Sequence, residues 1–395
     1  MEANSVRRIY MDYSAGKPVD QRVTDEMLPY LNSNYGNPSS IHTLGQEAKQ
    51  ALEKSRETVA KLINAEKSEA IVFTSGATES NNLAIRGTAG RNKSRGNKIL
   101  TSSVEHMSVV NPCKLMIRNG FQVVFLPVDK FGIVDLEKLE AELDDQTTLV
   151  SIVYANPEIG TIEPIKEISK IVHAKKAFLH IDATSAAGQV PIDVQNENID
   201  LLTMSSNDMY GPKGIGALYI KPGTTIEPTN QGGGQERGLR SGTENIPGIV
   251  GFAKAAEIAK NEMANESQRL ILLRNKLIES LIEPIPNSYL NGHPTQRLPD
   301  NVSVRYSFIE GESILLSLDI MGVFASSGSA CAAKTLQPSH VLLALGLAPE
   351  DAHGSLMLTL GRENTQEDVN ILKRIMPGIV KRLRDMSPLT PKELK

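Results

Sequence analysis

Short apolar runs alternate with stretches of helical periodicity between residues 71 and 220. This alternation predicts a mainly parallel β-sheet that is covered by helices on both faces, an α/β architecture. Ligands of such sheets bind at the carboxyl ends of the strands, so polar residues at those ends are the first candidates for a site. The predicted strands are 70–74, 98–102, 122–126, 149–154, 178–181, 201–204 and 217–220, with helices at 135–143 and 165–174 among those between them.

The pattern changes after a long amphipathic helix, which is predicted over 249–281 with a break near Asn265. The segments beyond it predict a second, smaller α+β domain. We therefore expect a large domain over 15–260 and a small domain built from 1–14 and 261–395. The elements predicted in the small domain are a strand at 301–305 and helices at 312–321 and 365–383.

Composition and charge exclude several classes of protein. The 395 residues include 40% hydrophobic and 22% charged side chains, which is typical of a globular protein. The net charge is −4 with both signs interspersed and no basic stripe, so nucleic acid is not expected as a partner. The most apolar stretch, 313–325, is short and contains Asp319, so no membrane span is expected.

The chain contains two cysteines, Cys113 and Cys331, too few for a disulfide framework, so a cytoplasmic location is expected. Cys331 is surrounded by Ser, Gly and Ala, a composition typical of an exposed loop, and the nearby Lys334 favours its thiolate. We therefore expect a reactive role for Cys331 in preference to the buried role usual for a free cysteine. Cys113 lies in an apolar helical stretch and is expected to be structural.

Polar residues follow several of the predicted strands. The turn 74–80 opens a helix and can bind an anion through backbone N–H groups, although it can equally be an ordinary helix cap. Asp182 can pair with a protonated ring nitrogen, and His106 can stack on a flat ring or move protons. Asn156 can donate to a ring oxygen. Each residue alone also fits a structural role, as does the glycine-rich segment 232–245 with its two arginines.

Taken together, these motifs and their spacing resemble the cysteine desulfurases of the IscS/NifS type, from Tyr10 to about Leu383. The segment 201–214 consists of an apolar strand, a short polar stretch that begins with Ser205-Ser206 and a glycine-rich turn at 210–214. It resembles the family's attachment segment for pyridoxal phosphate (PLP). The archaeal-type branch that lacks the Schiff-base lysine is the most similar. The other matching segments are 11–15, 36–42, 75–79, 104–106, 180–184, 240–243, 327–331 and 360–362.

The resemblance implies a PLP-dependent transferase fold of the aspartate aminotransferase type, with a mainly parallel seven-stranded sheet in the large domain. It also implies a homodimer that acts on L-cysteine and delivers sulfur to an IscU-type iron–sulfur scaffold protein. His106 would stack on the cofactor ring, Asn37 and Arg362 would hold the substrate carboxylate, and Cys331 would carry sulfur as a persulfide. The residues implied in cofactor binding are Ala77, Thr78, Asn156, Asp182, Ser185, Ser205, Ser206, Asn207 and, toward the partner subunit's cofactor, Thr243.

The departures from the family's pattern lie around the cofactor. Asp208 stands where the family has the lysine that binds PLP covalently, and a carboxylate cannot form that bond. Asn207 replaces a histidine, and Ser185 replaces a glutamine. PLP, if bound, is therefore expected to be non-covalent. Further departures are Pro157, Gln235 and Met357.

Two functions remain open from the sequence. The first is a desulfurase whose activity is weak or absent because of Asp208. The second is a non-catalytic docking partner of the scaffold, in which Cys331 accepts sulfur or is a ligand to a transient [2Fe-2S] cluster. Lys213 is a third, weaker possibility as a substitute for the missing lysine.

Overall fold

The computed structural model describes residues 7–328 and 338–394. Its large sheet has seven strands, which lie in the order 1-7-6-5-4-2-3 when numbered along the chain. Strand seven is antiparallel to both of its neighbours, and the other pairs are parallel. The predicted α/β class with a mainly parallel sheet is thus confirmed. The strands are Ile71–Thr74, Lys98–Ser102, Gln122–Leu126, Thr147–Val153, Phe178–Asp182, Leu201–Ser205 and Gly216–Ile220.

Helices cover the sheet because apolar residues recur on one face of each, as in Ile165–Ala174, where Ile165, Ile168 and Val172 are buried. The helix that follows the first strand begins at Ala77 and continues through a π-helical turn, Leu83–Gly87, to Arg91. The other helices up to residue 282 are Gln21–Asn32, Thr43–Leu62, Met107–Arg118, Leu136–Glu142 and Ile246–Ile282.

A second hydrophobic core lies around a small antiparallel sheet of three strands. Ile9 and Met11 from the start of the described chain are buried in it, because Ile9–Tyr10 pairs with Val323–Phe324. The division of the chain near residue 260 stays a prediction. The elements here are the strands Ser288–Leu290, Asn301–Tyr306 and Ser355–Thr359 and the helices Gly311–Ile320, His340–Ala344, Pro349–His353 and Gln366–Met386.

The break predicted near Asn265 is wrong, because the helix Ile246–Ile282 is continuous. Asn265 is exposed, so its weak helix propensity costs only a fraction of a kcal/mol, about 0.5. The helix contributes to both cores, with residues up to Ala259 in the first and from Leu270 in the second. Packing at both ends therefore outweighs the local preference. In the part of the chain that the structure describes, no helix is long and apolar enough to cross a membrane.

Candidate active site

Six strands of the large sheet end at the same edge, and the predicted site residues lie at or after five of those ends. The first strand leads to Ser75, the second to His106 and the fourth to Asn156, while Asp182 and Ser205 are the last residues of the fifth and sixth. The first strand shares their direction because it is antiparallel to strand seven, which is antiparallel to the sixth. Parallel topology therefore gathers side chains that are far apart in sequence.

A chain of hydrogen bonds connects Asp182 with His106. Asn81 Nδ2 donates to Asp182 Oδ2 over 2.7 Å and to Ser108 Oγ over 2.8 Å, and Ser108 Oγ lies 2.8 Å from His106 Nδ1. The other oxygen of Asp182 accepts from the backbone N–H of Thr184 over 3.0 Å. The same oxygen, Oδ1, also accepts from the Thr184 hydroxyl over 2.5 Å. Asp182 is buried, and Oδ2, which accepts only from Asn81 among the described residues, keeps a lone pair for a further donor.

His106 also begins the helix Met107–Arg118. Its Nδ1 accepts from the backbone N–H of Ser108 over 3.1 Å, so Nδ1 is the unprotonated nitrogen and a neutral ring carries its proton on Nε2. The residue is exposed at the edge of the sheet. The cap fixes the position of the ring, while the ring face and Nε2 stay accessible to a ligand.

Asn156 supports the turn that follows the fourth strand. Its side-chain amide donates to the carbonyl of Val104 over 2.7 Å, and its Oδ1 accepts from the N–H groups of Glu158 and Ile159. The residue is buried. One N–H of the amide is left for a ligand, and the other contacts hold this turn against the segment that precedes His106.

Asp208 lies in a single turn of 3-10 helix directly after the sixth strand. Burial of its carboxyl group raises the pKa to about 6, whereas Lys17 and a hydrogen bond from Ser205 act in the opposite direction. Lys17 Nζ donates to the backbone carbonyl of Asp208 over 2.9 Å. Ser206 Oγ and Asn207 Oδ1 are buried without a hydrogen-bond partner. The segment therefore holds polar atoms that a ligand can satisfy, but no amine at position 208.

The glycine-rich segment contacts the turn at the start of the helix that contains Ala77 and Thr78. Arg240 Nε donates to Glu79 Oε1 over 2.9 Å, and Glu79 Oε2 accepts from the backbone N–H of Ser75. Burial raises the pKa of Glu79, but these hydrogen bonds outweigh it and the pKa is lowered. A cavity of about 190 Å³ lies here, lined by Ser75, Arg240 and the exposed Thr243 among others.

The two predicted substrate ligands differ in their surroundings. Arg362 forms ion pairs with Asp20 at 2.5 Å and Glu262 at 3.3 Å, and its guanidinium lies 4.3 Å from the centroid of the Tyr210 ring. Hydrogen bonds from Arg22, and the nearby Arg22 and Arg362 charges, lower the pKa of Asp20 to about 2 against the opposing effect of burial. Asp20 and Glu262 therefore already neutralise the charge of Arg362.

Asn37 lies on an exposed turn before the helix Thr43–Leu62, and its Oδ1 accepts from the N–H of Ser39 over 2.9 Å. Ser185 is half-buried in the turn after Asp182. Cys331 lies outside the described residues. Cys113 is fully buried, and burial raises its pKa to about 12, so it is an inert thiol.

Sequence reasoning did not find Asn81, Ser108 or Lys17. Asn81 has a detectable signal, because it follows Thr78 by three residues on one helix and so shares its face. Ser108 has a weaker signal as the second residue after a capping histidine. Lys17 has none, since 191 residues separate it from Asp208.

Comparison with known proteins identifies close relatives over nearly the whole chain. The aminotransferase class-V family model matches residues 9–372. The chain is 56% identical over 380 residues to cysteine desulfurase IscS 1 of Archaeoglobus fulgidus, covering 96% of this chain and 99% of that protein. It is 51% identical over 389 residues to cysteine desulfurase IscS of Methanosarcina thermophila, covering 98% and 96%. A solved structure of a NifS-like protein superposes with a TM-score of 0.89 at 37% identity, covering 95% and 100%.

Proposed function

Because the chain belongs to the class-V aminotransferase family, and within it to the IscS/NifS-type cysteine desulfurases, we propose that it provides sulfur from L-cysteine for iron–sulfur cluster assembly. The fold is that of the family's PLP-dependent transferases. The observation on which the proposal depends is the intact chain from Asp182 through Asn81 and Ser108 to His106. The same site has a carboxylate at position 208, so we expect weak activity.

The residues at the sheet edge fit PLP without a covalent bond. Asp182 would pair with the ring nitrogen, His106 would stack on the ring, and the turn at Ala77 would bind the phosphate through the N–H groups of the first helical turn. The unpartnered Ser206 Oγ and Asn207 Oδ1 provide further polar contacts. When bound, PLP supplies an electron sink for bonds at the substrate's α-carbon.

Asp208 limits the reaction in two ways. It cannot hold the cofactor covalently, and its carboxylate repels the cofactor's phosphate. It also replaces the family's main proton shuttle, and loss of one general acid–base group costs about 10²–10⁴ in rate. With a pKa of about 6, Asp208 is mostly ionised at neutral pH, so both effects apply under ordinary conditions.

We assign sulfur transfer to Cys331. Its thiolate would attack the sulfur of the substrate, forming an S–S bond while the C–S bond breaks and the carbon keeps the electron pair, so that alanine leaves after protonation. The persulfide would then pass to an IscU-type scaffold protein in the cytoplasm. A homodimer is supported by exposed apolar side chains around Asn37, namely Leu31, Tyr35 and Ile41, the last of which is 96% exposed.

A second candidate function is that of a non-catalytic docking partner of the scaffold. It is favoured by the pairing of Arg362 with Asp20 and Glu262, because a substrate carboxylate must compete with two carboxylates already present. In this function Cys331 would accept sulfur from elsewhere or be a ligand to a transient [2Fe-2S] cluster shared with the scaffold.

Detection of a persulfide by mass spectrometry separates the two functions. The protein is incubated with PLP and L-cysteine, and intact-mass and peptide analysis detect a persulfide. A slow desulfurase gives a persulfide on Cys331 that Cys331→Ser abolishes, whereas Cys113→Ser, the matched control, leaves it unchanged. A docking partner gives none, but stabilises a cluster assembled on the scaffold from iron and sulfide more than its Cys331→Ser variant does. No persulfide and equal cluster lifetimes would contradict both functions.

A rescue experiment tests whether Asp208 is the main defect. Asp208→Lys with Asn207→His should bind PLP covalently and increase sulfide release from L-cysteine. Absorbance spectra, followed by borohydride reduction and peptide mapping, measure the covalent bond. If neither quantity rises, other departures such as Ser185 have altered the site further.

A further inference from the structure

Lys17 is a buried lysine that contacts the position of the missing cofactor lysine. It is 5% exposed and lies just before the helix Gln21–Asn32. Its ammonium donates to the Asp208 carbonyl over 2.9 Å and lies 5.2 Å from the centroid of the Tyr210 ring. A buried ammonium costs free energy unless opposite charges and hydrogen bonds compensate for it. The groups around Lys17 therefore indicate what stabilises its charge.

The ammonium lies at a small cavity that Asp208 and Asp300 also line. The two other acids among its described lining residues already have arginine partners, Glu262 in Arg362 and Glu266 in Arg269. The cavity has a volume of about 40 Å³, enough for one to three water molecules, and Lys17, Gln189, Asp208 and Asp300 are among its lining residues. Asp300 Oδ1 and Gln189 Oε1 are buried without a partner, and an ammonium has three donors. The unsatisfied acceptors and the remaining donors of Lys17 therefore face the same cavity.

Lys17 acts electrostatically on both acids. Burial raises the pKa of Asp208 and of Asp300, and for each of them the Lys17 charge is the largest opposing influence. Without Lys17, Arg362 would be the one cation among the described residues that line this cavity, and Arg362 already pairs with Asp20 and Glu262. Asp208 and Asp300 would then have no cation of their own in the cavity. One ammonium between two carboxyl groups balances the charge when one of the acids is protonated.

We propose that the positive charge of Lys17 offsets the free-energy cost of a carboxylate at position 208. Asp208, Lys17 and Asp300 then form one ion cluster on the floor of the active site. Lys17 is then a positioning residue that acts through Asp208. A second consequence rests on the proposed function: Lys17 weakens the binding of PLP to a lysine introduced at residue 208, so changing Lys17 should improve that binding. The Asp208→Lys substitution alone would put two ammonium groups in one cavity, with Asp300 as the one acid among the described lining residues that has no arginine partner.

The first test needs no cofactor. Unfolding is measured in urea at pH 7.5 for the parent, Lys17→Met, Asp208→Asn and the double variant. We expect Lys17→Met to raise the unfolding equilibrium constant by about 100-fold in the parent but only about tenfold when Asp208→Asn is present, because the neutral amide needs no counter-charge. Equal effects in both backgrounds would overturn the ion cluster. If Lys17→Met does not fold, recovery of folding by Asp208→Asn supports the proposal, and failure of both overturns it.

The second test measures PLP binding to Asp208→Lys with and without Lys17→Met. Removing the like charge should tighten the apparent Kd by about tenfold. Lys138→Met is the control and should leave the Kd unchanged, because Lys138 is a half-exposed lysine that pairs with Glu142 at 3.2 Å and does not line this cavity. Unchanged affinity, or a pyridoxyl group on Lys17 after borohydride reduction, would overturn this part. A lack of desulfurase activity in every variant would count against the proposed function and leave the unfolding result standing.

Discussion

Glu236 connects the glycine-rich segment to the large sheet through its carboxylate. Removal of this carboxylate should destabilise the protein strongly. Both of its carboxylate oxygens accept from Arg56, at 2.7 and 2.8 Å, and Oε2 also accepts from the backbone N–H of Phe73 over 2.9 Å. The Arg56 and Glu236 side chains are 5% and 2% exposed. Glu236→Ala would leave a buried guanidinium and a buried N–H without these acceptors.

The structure allows an estimate of this cost. Breaking a buried ion pair by removing one partner costs about 3–5 kcal/mol. The guanidinium keeps the carbonyl of Ile71 and the half-exposed Glu53 as partners, which reduces the loss, whereas the orphaned N–H of Phe73 adds about 1–3 kcal/mol. We therefore expect Glu236→Ala to lower the free energy of unfolding by about 4 kcal/mol.

The assay is urea unfolding followed by circular dichroism, since the chain has no tryptophan. Glu257→Ala is the matched control, because Glu257 is 51% exposed, pairs with Lys254 at 3.1 Å and should cost less than about 1 kcal/mol. The paired substitution Arg56→Met with Glu236→Met should recover most of the loss, since it removes both charges together. A loss below about 1 kcal/mol for Glu236→Ala, or no recovery in the paired variant, would refute this reasoning.

Three further predictions concern protonation and the hydrogen-bond chain. Burial raises the pKa of Glu105 to about 8, so the folded state binds this proton more tightly than the unfolded state does. The free energy of unfolding therefore falls as the pH rises from about 4.5 to 8, and Glu105→Gln should flatten that part of its pH dependence. A hydrogen bond to Asp200 raises the pKa of His173, so this pair stabilises the fold fully below about pH 6.5 and less at higher pH. His173→Gln should remove this pH-dependent stabilisation, which thermal unfolding across pH 5–8 would measure. Asn81→Leu should weaken PLP binding by about tenfold or more, because it removes the protein donor to Asp182 Oδ2. Absorbance titration would measure this loss, and equal affinity would contradict the role of the hydrogen-bond chain.

Local patterning predicted the large sheet to within about two residues at each strand end, because burial on both faces selects continuous apolar runs such as Ile71–Thr74. It also placed Asp182 at the carboxyl end of a strand and His106 just after one, since polar residues that follow an apolar run are visible in the sequence. The same local reasoning was wrong at Asn265, where packing of both ends of the helix outweighs a weak propensity. Propensity depends on single residues, and packing depends on the whole element.

The sequence by itself determined the α/β class, the order of the motifs and the presence of a carboxyl group, not an amine, at position 208. Only the tertiary structure decided which charges meet. It brings Lys17 to Asp208 across 191 positions and Arg362 to Asp20 across 342. Hydrophobic periodicity is a property of neighbouring residues and can be read along the chain. The balance of charge in a buried cavity depends on distances of a few ångströms between distant segments, and these exist only after the chain has folded.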